Sequence, residues 1–356
     1  MKHIAVICNY KLDPYRIGGM DRFFVAYNRE CIEKGFTVNW FFSGGVIFDF
    51  YIDLNIEICR KESVEECFLN YKARNKSKFE VVITHFVELC TPFFKMIKQY
   101  DDPMIVAVDH NPRPINGFPM KKRLKNKLKG KLYSKYIDLF IGVSNYTKQQ
   151  ILKDYGLKLS SKTEVIHNGI AFAEYIKRKN SNNGKFIVAS HLRPSKGIQD
   201  LIKAVSLLKP EVKQEIEIDI FGEGPMEAEL KCLVKKENLQ KQFRFCGSSP
   251  DLPKLFQNYS YMLQPTYMEC FSLSILESLA ANVPVITTPV GGNLEVIENG
   301  GNGFVFETGN IQQLADTILK IIRGEIMIEN SVNPIIENQY NLKTMVESHI
   351  NLLLCT

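Results

Sequence analysis

Apolar residues arrive in short continuous runs along this chain, at residues 3–8, 37–43, 81–85, 104–108 and 139–144. Runs of that length bounded by polar residues read as strands buried on both faces of a parallel sheet. Helical spacing appears between them. Phe23, Phe24, Tyr27 and Cys31 share one side of a predicted helix over residues 21–34, which Gly35 stops. Further helices are predicted at about 92–99 and at 145–155, the latter ended by Gly156. Strand alternating with helix argues for a parallel sheet covered on both sides.

The texture changes at residues 175–185, YIKRKNSNNGK, which are polar and have no apolar period. This stretch reads as an interdomain linker. A second alternating unit follows, with strands predicted at 186–189, 216–221, 243–245, 261–263 and 285–287 and helices at 198–208, 226–237 and 252–258. EIEIDIF alternates strictly, so its acids are expected on one polar face. The expected organisation is an N-terminal domain over 1–174, a linker over 175–185, and a C-terminal domain over 186–339. Residues 340–356 form an amphipathic segment.

The stretch QPTYMECFSLSILESLAANVPVITTPVGGNLEVIENGG, residues 264–301, holds strand end, loop, helix, strand, loop and a second helix start. Ser272 or Ser274 is placed to cap the first helix, Asn282 suits a left-handed end, and Pro284 forbids continuation. Helix N-termini after parallel strands suit a phosphate. Glu269 and Glu277, eight apart, do not share a helix face and so are not one acid–base dyad. SHLRPSKGI, residues 190–198, places Arg193 and Lys196 on a loop that opens a helix, a planar fork and a compact charge for phosphate oxygens. Gly18-Gly19 lies after the first strand, where backbone N–H groups can approach an anion, although no Gly-x-Gly-x-x-Gly is present. His110 follows the strand at 104–108, and His85 also ends a strand.

Composition narrows the class. With 45 % hydrophobic and 24 % charged residues, 356 residues suit two soluble domains. The longest apolar stretch, 38–58, is broken by Asp49 and Asp53, and MKHIAVICNY reads as a first strand rather than a signal peptide. Nine scattered cysteines without Cys-x-x-Cys or zinc spacing fit small core residues in a reducing cytosol. The net charge of +6 is concentrated at residues 120–135, MKKRLKNKLKGKLYSK, with eight Lys/Arg and no acid. Leu124, Leu128 and Leu132 give that helix a narrow apolar face. Three readings stay open: a solvated helix with three core leucines, an interfacial helix on anionic lipid, and nucleic-acid contact, which no motif supports.

ECFSLSILE at 269–277, a Pro-Val strand and then PVGGNLEVIENGGNGFVF together resemble the signature of retaining glycosyltransferase family 4. The resemblance implies an α/β fold of two Rossmann-like parallel-sheet domains facing a deep cleft (GT-B), with the last helix packing back on the first domain. It implies a retaining hexosyltransferase of bacterial surface-polysaccharide type. The donor would be a nucleoside-diphosphate sugar, UDP- or GDP-linked, without a metal or other cofactor. The acceptor would be a glycan or lipid-linked hydroxyl. Apart from the resemblance, the cysteine usage and the basic helix at 120–135 point to a cytoplasmic protein, peripheral on the inner face of the membrane, with no nucleic-acid partner. By the same resemblance Arg193 and Lys196 hold the diphosphate, Glu277 the ribose, and Glu269 the donor sugar. Backbone at Cys270, Phe271 and Ser272 meets sugar or phosphate oxygens, although this family often has glycine at the Cys270 and Ser272 positions. His110 lies near the reacting carbon, Gly18 and Gly19 near the phosphates, Gly222 on a glycine-acid-glycine-proline turn, and Cys246 on the edge contacting the base. His167-Asn168-Gly169 resembles a structural turn of the family. Two rivals share these features: a sugar-nucleotide epimerase on the same fold, and a non-catalytic nucleotide- or lipid-binding module.

Overall fold

The computed structural model describes residues 2–179 and 184–354. The chain forms two compact units, residues 1–168 with 342–356, and residues 169–341. Of the stretch read as linker, residues 180–183 lie outside the described residues. Residues 175–179 are bonded to the second unit, with the Ile176 N–H donating to Pro253 O (3.3 Å) and the Arg178 N–H to Ala281 O (2.7 Å).

The first unit runs β1 (His3–Leu12), α1 (Gly19–Glu33), β2 (Thr37–Gly45), β3 (Asn55–Ile58), α2 (Val64–Arg74), β4 (Val81–His85), α3 (Pro92–Asp101), β5 (Met104–Asp109), α4 (Met120–Tyr133), β6 (Leu139–Gly142), α5 (Asn145–Tyr155) and β7 (Thr163–Val165). Its sheet is parallel, in the order β3-β2-β1-β4-β5-β6-β7. β1 is buried on both faces, as its continuous apolar run requires. Ala5 and Ile7 pack with Phe41, Val82, Ile105, Ala107 and Phe140 on one side. On the other, Phe24 of α1 meets Trp40 and Phe42. The helix α13 (Leu342–Leu354) lies against α1 on that side, and its His349 ring meets Phe23.

The second unit runs β8 (Lys185–Ala189), α6 (Ile198–Ser206), α7 (Pro210–Lys213), β9 (Glu217–Phe221), α8 (Glu227–Lys236), β10 (Phe243–Gly247), α9 (Leu252–Leu255), β11 (Tyr261–Gln264), α10 (Leu273–Ala280), β12 (Val285–Thr287), β13 (Gly303–Val305), α11 (Ile311–Ile322) and α12 (Pro334–Gln339). Its parallel order is β10-β9-β8-β11-β12-β13. The two parallel α/β sheets are the expected fold class.

Three local readings are corrected. The second helix expected after Gly291-Gly292 is a single 3-10 turn, Asn293–Glu295. Asp219 of EIEIDIF is not on a solvated face. It is buried, accepting from Arg244 Nε (2.8 Å) and the Tyr259 hydroxyl (2.6 Å), so alternation hid a paired charge. The leucines of α4 are not core residues. Leu124, Leu128 and Leu132 are 65 %, 57 % and 47 % exposed. The helix buries Asn126 and Gly130 instead, because a Cβ on Gly130 would stand 2.1 Å from the Tyr155 carbonyl oxygen of α5. Residues two apart on a helix point roughly 200° from each other, so packing through Asn126 and Gly130 turns the leucines outward.

Candidate functional site

In the second unit the strand order reverses between β8 and β11, and the loops leaving their carboxyl ends carry most of the charged candidates. Such a reversal opens a crevice beyond the strand ends, the usual ligand position of an open α/β sheet. The β8 loop carries Arg193 and Lys196, the β11 loop Glu269. Lys196 Nζ donates to Glu269 Oε2 at 2.5 Å, both side chains being about four-fifths buried. The two residues, 73 apart in sequence, therefore meet across the reversal. Arg193 is exposed, and its guanidinium makes no hydrogen bond among the described residues. The Ser190 hydroxyl at the head of that loop is buried and unpartnered among the described residues.

Close backbone contacts hold this arrangement. Gly197 has φ +70°, and a Cβ there would stand 1.8 Å from Pro265 O, so the β8 loop lies directly against the β11 loop. The Tyr267 N–H donates to Ser195 O (2.7 Å) and Thr266 Oγ1 to the same oxygen (3.1 Å). The β12 loop joins them: Thr288 Oγ1 donates to Thr266 O (2.6 Å), and the Gly292 N–H to Cys270 O (2.8 Å). Gly291, at φ +62°, would place a Cβ 2.1 Å from Glu269 O.

Ser272, rather than Ser274, caps α10 by accepting from the Ile275 N–H (3.4 Å), and it receives a hydrogen bond from Gln264 Nε2 (2.6 Å). Cys270, Phe271 and Ser272 are buried at this helix start, and half-buried Glu277 sits one turn into α10. Asn282 is left-handed at φ +59°. The loops after β9 and β10 line up beside β8. Gly222 N–H donates to Gly247 O (2.8 Å), and its φ of +121° places any Cβ 2.1 Å from Ser190 O. Cys246 is half-buried in β10, its thiol 3.7 Å from Arg244 O.

In the first unit, His110 follows β5. Its Nε2 lies 3.0 Å from His85 Nδ1 at the end of β4, and the Phe86 ring stacks on it with centroids 4.2 Å apart. Burial first, and then His349, lowers the His110 pKa to about 3. Burial likewise lowers His85 and takes His349 to about 4. All three imidazoles are neutral at pH 7. Gly18-Gly19 opens α1, but the Gly18 N–H is already donated to Asp21 Oδ2 (2.7 Å), and Tyr10 and Tyr51 also donate to that buried carboxylate.

The loop bearing His110 is fixed by residues that the sequence did not single out. Arg113 bonds Asp109 (2.7 Å) and Asp154 of α5 (2.8 Å), and all three are buried. Burial alone would lower the Arg113 pKa; the two carboxylates more than offset it. Asp109 also accepts from the Asn111 N–H (2.9 Å). Asp154 sits in a polar helical stretch and gave no signal. Among the described residues, no group of three His, Cys, Asp or Glu side chains is placed to hold a metal, and no helix is long and apolar enough to cross a membrane.

This pair of sheets is that of the GT-B glycosyltransferases. Residues 59–174 match the model of glycosyltransferase family 4, and residues 172–341 that of glycosyl transferases group 1. Anabaena HepE, solved in complex with UDP and with UDP-glucose, superposes over the whole of both chains with TM-scores of 0.79 and 0.77 at 17 % identity. An uncharacterized glycosyltransferase of Methanocaldococcus jannaschii is 30 % identical over 208 residues, 57 % of this chain and 56 % of its own length. The UDP-Gal:alpha-D-GlcNAc-diphosphoundecaprenol alpha-1,3-galactosyltransferase of Escherichia coli is 22 % identical over 302 residues, 78 % of this chain and 76 % of the relative. The chain thus spans little more than half of its archaeal relative. It carries a glycosyltransferase family 4 domain over residues 59–174 and a glycosyl transferases group 1 domain over residues 172–341, on the GT-B fold.

Proposed function

We propose that the protein is a retaining hexosyltransferase that moves a sugar from a nucleoside-diphosphate sugar to a hydroxyl of a glycan or lipid-linked acceptor. One observation carries this reading: Lys196 and Glu269 meet where the second sheet reverses, beside Arg193 and the start of α10. A cation touching a carboxylate there suits a ligand whose phosphate and sugar hydroxyls are neighbours. Lys196 and Arg193 stabilise the negative charge that grows on the leaving diphosphate. Glu269 accepts from hydroxyls of the donor sugar and Glu277 from the ribose. Backbone at Cys270 to Ser272 faces sugar or phosphate, Gly222 and Cys246 border the nucleotide, and Gly19 faces the phosphates. The acceptor oxygen attacks the anomeric carbon from the side the phosphate leaves, the carbon–oxygen bond to phosphate breaks, and the departing phosphate oxygen takes the acceptor proton. His110, neutral, serves as a hydrogen-bonding group near that carbon rather than as an imidazolium acid. No metal takes part in this scheme, since fixed cations supply the charge. HepE, with its UDP and UDP-glucose complexes, favours UDP as the carrier.

We place the protein at the inner face of the membrane, through α4. Its outward leucines are flanked by lysines, a pattern that buries apolar surface at the headgroup level and adds about 1 kcal/mol per basic residue on anionic lipid.

Titration calorimetry with UDP and GDP, together with sugar-nucleotide hydrolysis by wild type and Lys196→Ala, tests the donor assignment. Binding of a nucleotide that Lys196→Ala weakens at least tenfold is expected. Equal binding by both proteins refutes it. Interconversion of the donor sugar without transfer identifies the epimerase instead.

A further inference from the structure

The first sheet also reverses, between β1 and β4, and a cavity of about 340 Å³ lies beyond that point. Asn9 and Phe86 on its wall stand one step past the last β1–β4 pair, Cys8 with His85. Phe86 has φ +60°, a left-handed backbone rare for an aromatic residue, and such strain gathers at ligand sites. The size falls within the roughly 300–1,000 Å³ of small-ligand pockets.

Its lining has a definite chemistry. Asn126, from the buried side of α4, is 2 % exposed, yet its amide makes no hydrogen bond among the described residues. A buried amide needs a partner, and the cavity is where one fits. Glu65, in the first turn of α2, is half-buried with no ion pair among the described residues. Two of the cations nearby are held by carboxylates. Arg113 is held by Asp109 and Asp154. Lys129, on the same helix as Asn126, pairs with Glu88 of the wall (2.7 Å). Lys122, also on the wall, lies over the Phe118 ring, 3.8 Å from its centroid, and pairs with no carboxylate among the described residues. What remains is a carboxylate, an amide, the Lys122 ammonium and aromatic faces. A hydroxyl donates to a carboxylate and accepts from an amide, and the C–H face of a pyranose packs on an aromatic ring. A phosphate would meet three carboxylates on the wall, Glu65, Glu88 and Asp109, against Lys122 and an Arg113 already held by two acids.

We infer that this pocket binds the terminal sugar of the acceptor as a neutral polyol, with Glu65 and Asn126 holding its hydroxyls. This rests on reading the protein as a glycosyltransferase, and assigns the acceptor to its first unit. It adds that recognition there is of the sugar and not of a phosphate carried with it.

The test uses the full chain and a panel of methyl glycosides of glucose, galactose, mannose and N-acetylglucosamine, with binding followed by saturation-transfer NMR at millimolar ligand. At least one glycoside is expected to bind wild type. Its affinity is expected to fall about tenfold in Glu65→Gln, the loss typical of a charge-assisted hydrogen bond, while UDP affinity stays unchanged. Asn126→Ala should do the same wherever it melts cooperatively; Glu65, half exposed, provides the test if it does not. Three results overturn the inference: no glycoside binds folded wild type, both variants bind it as wild type does, or sodium phosphate displaces it. Loss of UDP binding alone, with glycoside binding intact, would sink the donor assignment and leave this pocket standing.

Discussion

Acid should loosen the first unit as soon as the pH falls below about 6.5. His349 is buried between Phe23 and His85, with a pKa lowered to about 4, and His110 is lowered to about 3. Both return to about 6.5 on unfolding. Below pH 6.5 the unfolded chain therefore binds protons that the folded chain refuses, and stability falls as pH falls. The loss starts at 6.5 and for His349 is complete near 4. Each pH unit costs about 1.4 kcal/mol per histidine, so moving from pH 7 to pH 5 costs about 2 kcal/mol for His349 and a similar amount for His110. Together they remove about 4 kcal/mol, comparable with the whole stability of a marginal domain. Trp40 is the lone tryptophan, fully buried and donating to Asn28 Oδ1 (2.9 Å), so its fluorescence reports on this unit. Urea unfolding followed by that signal at pH 7, 6 and 5 gives the slope. His349→Phe, which keeps a ring against Phe23, should lose about 2 kcal/mol less over that range than wild type. Identical pH dependence in the two proteins would refute the reasoning, because His349 would then be free to protonate while folded.

Other perturbations test separate parts. Lys196→Ala should lower turnover about 10²–10³-fold, measured by product formation once a donor is known, with the melting temperature little changed. Gly291→Ala forces a Cβ against Glu269 O from a left-handed backbone; a loss of about 1–3 kcal/mol in chemical denaturation is expected. Asp154→Asn removes one of the two carboxylates on Arg113, which keeps its pair with Asp109, and should cost about 1.5–3 kcal/mol by the same assay. Replacing Leu124, Leu128 and Leu132 by serine should leave the melting temperature within a few degrees, because all three are exposed, while co-sedimentation with anionic vesicles falls sharply. A large drop in melting temperature would mean that these leucines are packed in solution.

The sheets were legible because parallel strands buried on both faces leave continuous apolar runs, and β1, β4, β5, β8 and β12 all have them. β3 and α2 escaped, since NIEI is half exposed and Val64–Arg74 carries only a weak stripe. The helix looked for after Gly291-Gly292 fails because Gly291 is committed to backing the Glu269 carbonyl. In the site, Arg193, Lys196 and Glu269 could be picked out by residue type and place after a strand. Contact between Lys196 and Glu269 could not, because it depends on Gly197 admitting the Pro265 carbonyl. α4 misled for a related reason. Leucines at every fourth position mark an apolar face, but which face meets the protein was decided by one glycine against Tyr155. Asp154 and Asn126 had no signature, each being a polar residue in a polar helix.

The placement of α13 has a bearing on how the protein is made. Residues 169–341 are contiguous and can fold as soon as they leave the ribosome. The first unit, begun earlier, waits for Leu342–Leu354 to cover Phe23 and Tyr27 with His349. During synthesis the older half thus keeps an open aromatic face while the younger half matures, so nascent chains stalled between residues 168 and 341 should be the ones that chaperones hold.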